Sequence, residues 1–444
     1  MLHTLLNILI ALLLLGVVVA FHEFGHFIIA KSRGITVIEF SIGMGPRLLS
    51  FEKGGTRYSL KLLPIGGSCL MGEDDTAPTD DEHAFNNKNV WERIAVIFAG
   101  PVFNFILAFI FALIVIGIVG YDPAYVTGVN IGEPAEQQGL MKLDRITKIN
   151  GKKIRLGREI LTYFYFHTLD DSEVTLEYVR TDESGNETKG TVTYKPEYVK
   201  KYLLGFNYTP GEQGPAKVNG IIERYPMEKA GLNPGDIITA INGDTIKDSQ
   251  GLAEYLARHP LSEQEIEVTY SRDGNETTVK VTPMYSSEGY SLGFEYNTGY
   301  REKTGFFGVI KYSFFEIKYW IEATVGSLGQ LFTGKLSTQD IGGPVRIVSE
   351  IGNVVDQSRE DGPLYVFLNL LNWAILLSAN LGIMNLLPIP ALDGGRLLFL
   401  FIEVVRGKPI DKEKEGIVNL IGIVLLFLLM IFIFFNDIRN VFFR

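Results

Sequence analysis

Phe21-His22-Glu23-Phe24-Gly25-His26 closes an otherwise apolar run, Leu5 to Ala20, that is interrupted only by Asn7; Phe27 to Ala30 then continues it. A charge at the centre of a membrane helix costs ~2.5–3.5 kcal/mol on insertion scales, so these ionisable groups need a compensating partner. His22 and His26 stand four apart, which places both imidazoles on one helix face at metal-chelating distance. Glu23 lies beside them, where a carboxylate can take a proton from a metal-bound water. A metal site on a membrane helix is the expected reading, with His22 and His26 as candidate ligands and Glu23 beside them.

Composition narrows the class. The formal charge of -10 and the absence of a basic cluster exclude nucleic acid as an expected partner. Cys69 is the sole cysteine, so no intrachain disulfide and no cysteine metal cluster can form. The first segment has no basic start and no small-residue cleavage site, and it reads as a retained span. Further apolar stretches follow at 94–119, 366–390 and 416–436, making four expected spans with 4–30. The second carries Gly100, Pro101 and Asn104, and the third Asn369, Asn372, Asn380 and Asn385. Such residues at membrane depth face a bundle interior or a cavity. The fourth is almost wholly apolar and reads as a lipid-facing support.

Orientation follows from the short loops. Lys31, Arg33, Arg47, Lys53, Arg57, Lys61 and Lys88 crowd 31–91, and Arg396, Arg406, Lys408, Lys412 and Lys414 crowd the link between the last two spans. The positive-inside rule makes both cytoplasmic, with both termini and the long middle outside and the histidines near the cytoplasmic face. Within 31–91, the apolar run Ile35–Ile42 and the alternation of Tyr58, Leu60 and Leu62 with polar residues predict a small β-hairpin sheet. The acidic stretch Glu73–Glu82 reads as a solvated loop.

The third ligand is expected from another span. Asn385-Leu-Leu-Pro388-Ile-Pro390-Ala-Leu392-Asp393-Gly394-Gly395 ends the third, and its prolines interrupt the helix at the expected cytoplasmic depth. Asp393 there is the leading candidate to complete a three-ligand zinc site.

The middle is duplicated. Gly139-Leu140…Asp144…Ile149-Asn150-Gly151 matches Gly231-Leu232…Asp236…Ile241-Asn242-Gly243 at an offset of 92 residues, falling to 89 by Asn186 and Asn275. Two copies at a domain-sized period mean tandem domains rather than a solenoid. Each copy is followed by a Leu-Gly-Phe triplet, 204–206 and 292–294. The duplicated unit resembles the circularly permuted bacterial PDZ domain. That resemblance implies that Leu204, Gly205 and Phe206, with Leu292, Gly293 and Phe294, form peptide-binding loops beside a groove helix at Ser249–His259. Such domains bind extended peptides at a sheet edge; a bulky gate that never binds a peptide is the alternative. Residues 303–335 show apolar spacing of three and four, predicting an amphipathic helix on the outer membrane surface or against the bundle.

His22-Glu23-x-x-His26 together with Asn385-x-x-Pro388-x-Pro390-x-Leu392-Asp393-Gly394, and Gly100-Pro101-x-x-Asn104, resemble the site-2 protease family of intramembrane zinc metalloproteases. Tandem PDZ modules between the second and third spans place the likeness in its bacterial sigma-E-regulating branch. The resemblance implies one Zn2+ per chain on His22, His26 and Asp393, Glu23 as general base, and Asn385, Pro388 and Asn104 as substrate-positioning residues. It also implies a bacterial cytoplasmic membrane and single-span substrates already trimmed outside, such as anti-sigma factors and signal peptide remnants. The expected fold is a four-span α-helical membrane protein with a small β-hairpin sheet and two inserted α+β PDZ-like domains. Its segments are 1–120, 121–208, 209–298, 299–365 and 366–444. A zinc-binding scaffold or transporter, and an inactive member that binds peptides through its PDZ domains, are the rival readings.

Overall fold

The computed structural model describes residues 2–72, 82–209, 214–335 and 342–442; most of the acidic stretch read as a solvated loop lies outside them. The chain divides into two compact units, Met1–Tyr121 with Arg301–Arg444, and Asp122–Tyr300.

The first unit opens with α1 (Leu2–Ser32), β1 (Val37–Lys53), β2 (Thr56–Met71) and, after a 3-10 turn at Phe85–Asn87, α2 (Val90–Val119). The two strands are long enough to fold back on themselves. Residues 37–42 pair with 67–71 on one side and 39–42 pair with 57–60 on the other, while 47–53 pair with 56–61. The hairpin therefore presents four rows, with 47–53 and 67–71 at its edges. Gly43 permits the reversal: its φ is +85°, and a Cβ there would lie 2.5 Å from the Leu63 carbonyl oxygen. Buried Glu39 ties the bent strand to itself by accepting two bonds from Arg47, at 2.8 and 2.9 Å, and one from Ser59 at 2.6 Å. The Arg47 guanidinium, then the Ser59 hydroxyl, hold its carboxyl down at about 2.

The second unit begins with a module of β3 (Val126–Val129), α3 (Pro134–Gln137), β4 (Arg145–Ile149), β5 (Lys152–Lys153), α4 (Arg158–Phe166), β6 (Val174–Thr181) and β7 (Glu187–Tyr194). After β8 (Glu197–Leu203) a second module follows: β9 (Phe206–Asn207), β10 (Gly220–Ile221), α5 (Pro226–Lys229), β11 (Ile237–Ile241), β12 (Asp244–Thr245), α6 (Ser249–Arg258), β13 (Ile266–Arg272) and β14 (Asn275–Val281). Then come β15 (Met284–Ser291) and β16 (Phe294–Tyr296). The duplication is visible as two four-stranded sheets of the same order, β5-β4-β6-β7 and β12-β11-β13-β14.

The domain boundaries need one correction. The repeat assigned Leu204-Gly205-Phe206 to 121–208 and Leu292-Gly293-Phe294 to 209–298. The cores show the reverse: Phe294 is buried in the first with Leu292 packed against it, and Leu204 is buried in the second with Phe206 packed against it. β16 pairs with β3, and β9 with β10. The second module is thus inserted into the first, and the chain passes between them along the antiparallel pair β8 and β15. A repeat shows where two copies match; it does not show which core an end strand joins.

The first unit resumes with α7 (Phe306–Phe332), α8 (Pro344–Ser358), α9 (Pro363–Leu386), α10 (Asp393–Arg406) and α11 (Lys412–Phe442). Among the described residues, four helices are long and apolar enough to cross a membrane: Leu5–Ser32, Val90–Val119, Pro363–Leu386 and Glu413–Arg439. The third ends at Leu386 rather than at 390, because Pro388 and Pro390 cannot continue its hydrogen bonds. α7 packs against the bundle: Ile317 is buried with Ala108, Ala112 and Val115 of α2 and Leu368, Leu371 and Ile375 of α9. Asn7, the polar break in α1, donates to Gly352 O at 3.3 Å and Asp356 Oδ2 at 2.9 Å, and accepts from Arg359 at 3.0 Å, which fastens α8 to α1. Buried Asp437 of α11 accepts from the Gly343 and Arg346 amides at the other end of α8.

Candidate metal centre

Helix geometry brings the α1 imidazoles together: His22 and His26 are both buried, with their Nε2 atoms 3.2 Å apart. α1 and α2 meet closely here, since a Cβ on Gly25 would lie 2.5 Å from the Ala99 carbonyl oxygen. Gly100 faces the pair directly. A Cβ there would stand 2.4 Å from His26 Nε2 and 2.8 Å from His22 Cε1, so only glycine leaves the imidazoles their space.

Asp393 comes from the other end of the chain, at the first turn of α10. The link from α9 is tightly folded. Ala391 has a φ of +74°, a left-handed conformation that costs an L-residue about 1–2 kcal/mol. Its amide donates to Asn419 Oδ1 of α11 at 3.3 Å. Cβ atoms on Gly394 and Gly395 would lie 2.1 Å from Leu387 O and 2.4 Å from Ile389 O, so the two glycines after Asp393 let the link close. The result sets Asp393 Oδ2 at 3.1 Å from His22 Nε2 and 3.4 Å from His26 Nε2.

These three atoms meet a direct test for a cation. Three donors of one tetrahedral zinc, each about 2.0–2.1 Å from the ion, lie about 3.3 Å from one another. The observed edges are 3.1, 3.2 and 3.4 Å. Oδ2 of Asp393 is buried without a hydrogen-bond partner, as a ligand oxygen would be. His26 Nδ1 lies 2.9 Å from Val96 O; donating its proton there leaves the Nε2 lone pair for a metal. Among the described residues this is the one group of three such side chains able to hold an ion.

Glu23 points to the hairpin sheet. Its Oε2 accepts from the Cys69 amide at 3.0 Å, and a Cβ on Gly67 would touch its Cγ at 3.2 Å. The sheet edge next to Glu23 is therefore the 67–71 row. Asn385 Nδ2 lies 3.4 Å from His22 Nε2, and Asn104 Nδ2 lies 3.0 Å from His22 Nδ1. Pro388 is exposed in the α9–α10 link. The six Leu-Gly-Phe residues belong to the other unit. Val96 O and the Cys69 amide escaped sequence reading because they are backbone groups, which carry no residue signature.

Comparison with known sequences matches residues 10–429 to peptidase family M50. The chain belongs to this family. Curated relatives cover it nearly end to end. It is similar to the zinc metalloprotease RasP of Geobacillus kaustophilus, 32% identical over all of both chains. The regulator of sigma-W protease RasP of Bacillus subtilis is 30% identical, over 98% of this chain and 99% of that one. The regulator of sigma-E protease RseP of Escherichia coli is 32% identical, over 95% and 96%. This M50 peptidase is a zinc metalloprotease, and its four apolar helices fit a membrane protein.

Proposed function

We propose that this M50 peptidase holds one zinc per chain on His22, His26 and Asp393 and cuts the membrane segment of single-span proteins, with Glu23 as general acid and base. The observation that carries the reading is the 3.1–3.4 Å triangle of Nε2, Nε2 and Oδ2, with a carboxylate at the adjacent position on α1. When bound, zinc supplies a water of lowered pKa and polarises the scissile carbonyl. Glu23 takes the water's proton and returns it to the leaving amine. The Cys69 amide keeps one oxygen of that carboxylate in place.

A helical substrate hides its carbonyls in intrahelical bonds, each costing several kcal/mol to break in lipid, so it must unwind within the protein. The 67–71 row is an open sheet edge beside Glu23, suited to pairing with the freed strand, and the Asn385 amide is near enough to bond its backbone. Leu70→Pro should slow cleavage; unchanged cleavage removes that role from the row.

Anti-sigma factors and signal peptide remnants, already trimmed outside, are the proposed substrates, in keeping with the sigma-regulating relatives. The bacterial relatives favour a bacterial cytoplasmic membrane, and the loop charges support an orientation with both termini and residues 122–300 outside and the metal centre near the cytoplasmic face. The modules at 122–300 are proposed to be PDZ-like, with grooves between β9 and α6 and between β16 and α4. The experiment uses the purified chain, a single-span substrate, Glu23→Gln and a zinc chelator. Glu23→Gln should lower cleavage about 10²–10⁴-fold with zinc still bound. The chelator should abolish it. Cleavage that survives both overturns the mechanism.

A further inference from the structure

The motif Gly100-Pro101-x-x-Asn104 carried an expectation that Asn104 positions substrate. The structure leaves it no surface for that: Asn104 is 0% exposed. Its surroundings tie it to the metal centre instead, in a role that rests on the reading of His22 as a ligand.

Val96, Gly100 and Asn104 fall at i, i+4 and i+8 on α2, one stripe along one helix face. Each meets the α1 histidines. Val96 O stands 2.9 Å from His26 Nδ1, Gly100 leaves room for both rings, and the Asn104 carboxamide stands 3.0 Å from His22 Nδ1. Ser378 of α9 donates to the Asn104 backbone oxygen at 2.8 Å and so fixes this turn of α2.

The carboxamide's orientation matters. With Nδ2 toward His22 Nδ1, Oδ1 is buried without a partner. A half-turn about the Cβ–Cγ bond exchanges two groups of nearly equal size and sets Oδ1 on His22 Nδ1. A histidine that binds metal through Nε2 must carry its proton on Nδ1, and that proton needs an acceptor. We propose that Asn104 is a positioning residue that accepts the His22 Nδ1 proton through Oδ1, as Val96 O accepts that of His26, so that α2 points both Nε2 lone pairs at one ion. The carboxamide of Asn104 thereby does for His22 what a backbone carbonyl does for His26.

The test measures zinc retention by the full-length protein in detergent against a competing chelator, alongside cleavage of a single-span substrate. Asn104→Leu keeps the volume and removes the acceptor; it should weaken zinc binding about 10- to 100-fold, with added zinc restoring cleavage. Asn104→Asp keeps an acceptor at the same atom and should hold zinc within a few-fold of the wild type. Equal weakening in both variants marks a packing role and overturns the proposal. So does an Asn104→Leu protein with unchanged zinc affinity and a raised KM, the signature of a substrate contact. If the leucine variant fails to fold, Asn104→Asp decides alone: zinc loss matching that of Asp393→Asn overturns the proposal. Failure of His22 as a ligand would appear separately, as a His22→Ala variant that keeps its zinc.

Discussion

Two fully buried aspartates, Asp144 and Asp236, and the partly buried Asp393 sit in two kinds of surroundings. Asp144 and Asp236, at the repeat offset of 92, are each gripped by a two-pronged arginine. Arg180 reaches the Asp144 oxygens at 2.7 and 2.7 Å and Arg272 those of Asp236 at 2.8 and 2.7 Å. Each arginine also bonds a carbonyl, Gly139 O or Gly231 O, and lies over Tyr178 or Tyr270. Backbone amides of Met141 and Asn233 complete the two carboxylates. Among the described residues Asp393 meets no such guanidinium. It faces two imidazoles, and one of its oxygens has no hydrogen-bond partner. Burial alone therefore says little about a carboxylate's task. A carboxylate matched by a guanidinium holds a fold together, and one left open toward other donors has room for a cation.

The largest test of that contrast replaces Asp393 by Asn. Zinc should be lost and cleavage should fall by roughly 10³-fold or more, while the modules at 122–300 keep their amide hydrogen-exchange protection. Loss of protection there would make Asp393 a structural acid after all. The matching change in the other class, Asp236→Asn, should keep zinc and destabilise the second module by roughly 1–3 kcal/mol, read as faster exchange in β11 and β13. Acid gives the finer check on the same residue. The Arg272 bonds hold the Asp236 carboxyl below its usual value. Its contribution is then complete above the unfolded value of about 3.9 and fades as pH falls toward the lower folded one. Protection of β11 and β13 should decline below about pH 4 in the wild type and vary less in Asp236→Asn. An equal decline in both would assign the acid sensitivity to another group.

Much of the centre was legible because ionisable residues inside apolar runs stand out. His22, Glu23 and His26 announce themselves this way, and Asp393 follows from two prolines that end a span at matching depth. The four apolar helices were legible from length and composition. Asn7 was visible as an anomaly, but its partners lie about 350 positions away, where no local pattern reaches. The contributions of Val96 O and the Cys69 amide are backbone chemistry and leave no trace in residue type. The exchange of end strands between modules was hidden for a different reason. The two Leu-Gly-Phe triplets are identical in sequence, so their residues alone do not say which core each joins.

The residues that flank the modules meet in a single antiparallel bridge. Tyr121 donates to Glu302 O at 3.0 Å, and Glu302 returns a bond to Tyr121 O at 2.8 Å. Within 122–300 the ends are likewise joined, with Asn297 donating to Pro123 O at 2.8 Å. The chain thus leaves the first unit and rejoins it through neighbouring residues. Closing such a gap requires only a turn, so the entropy of joining the ends is small whatever lies between them. Any folded insert with adjacent termini can close this gap without stretching α2 or α7.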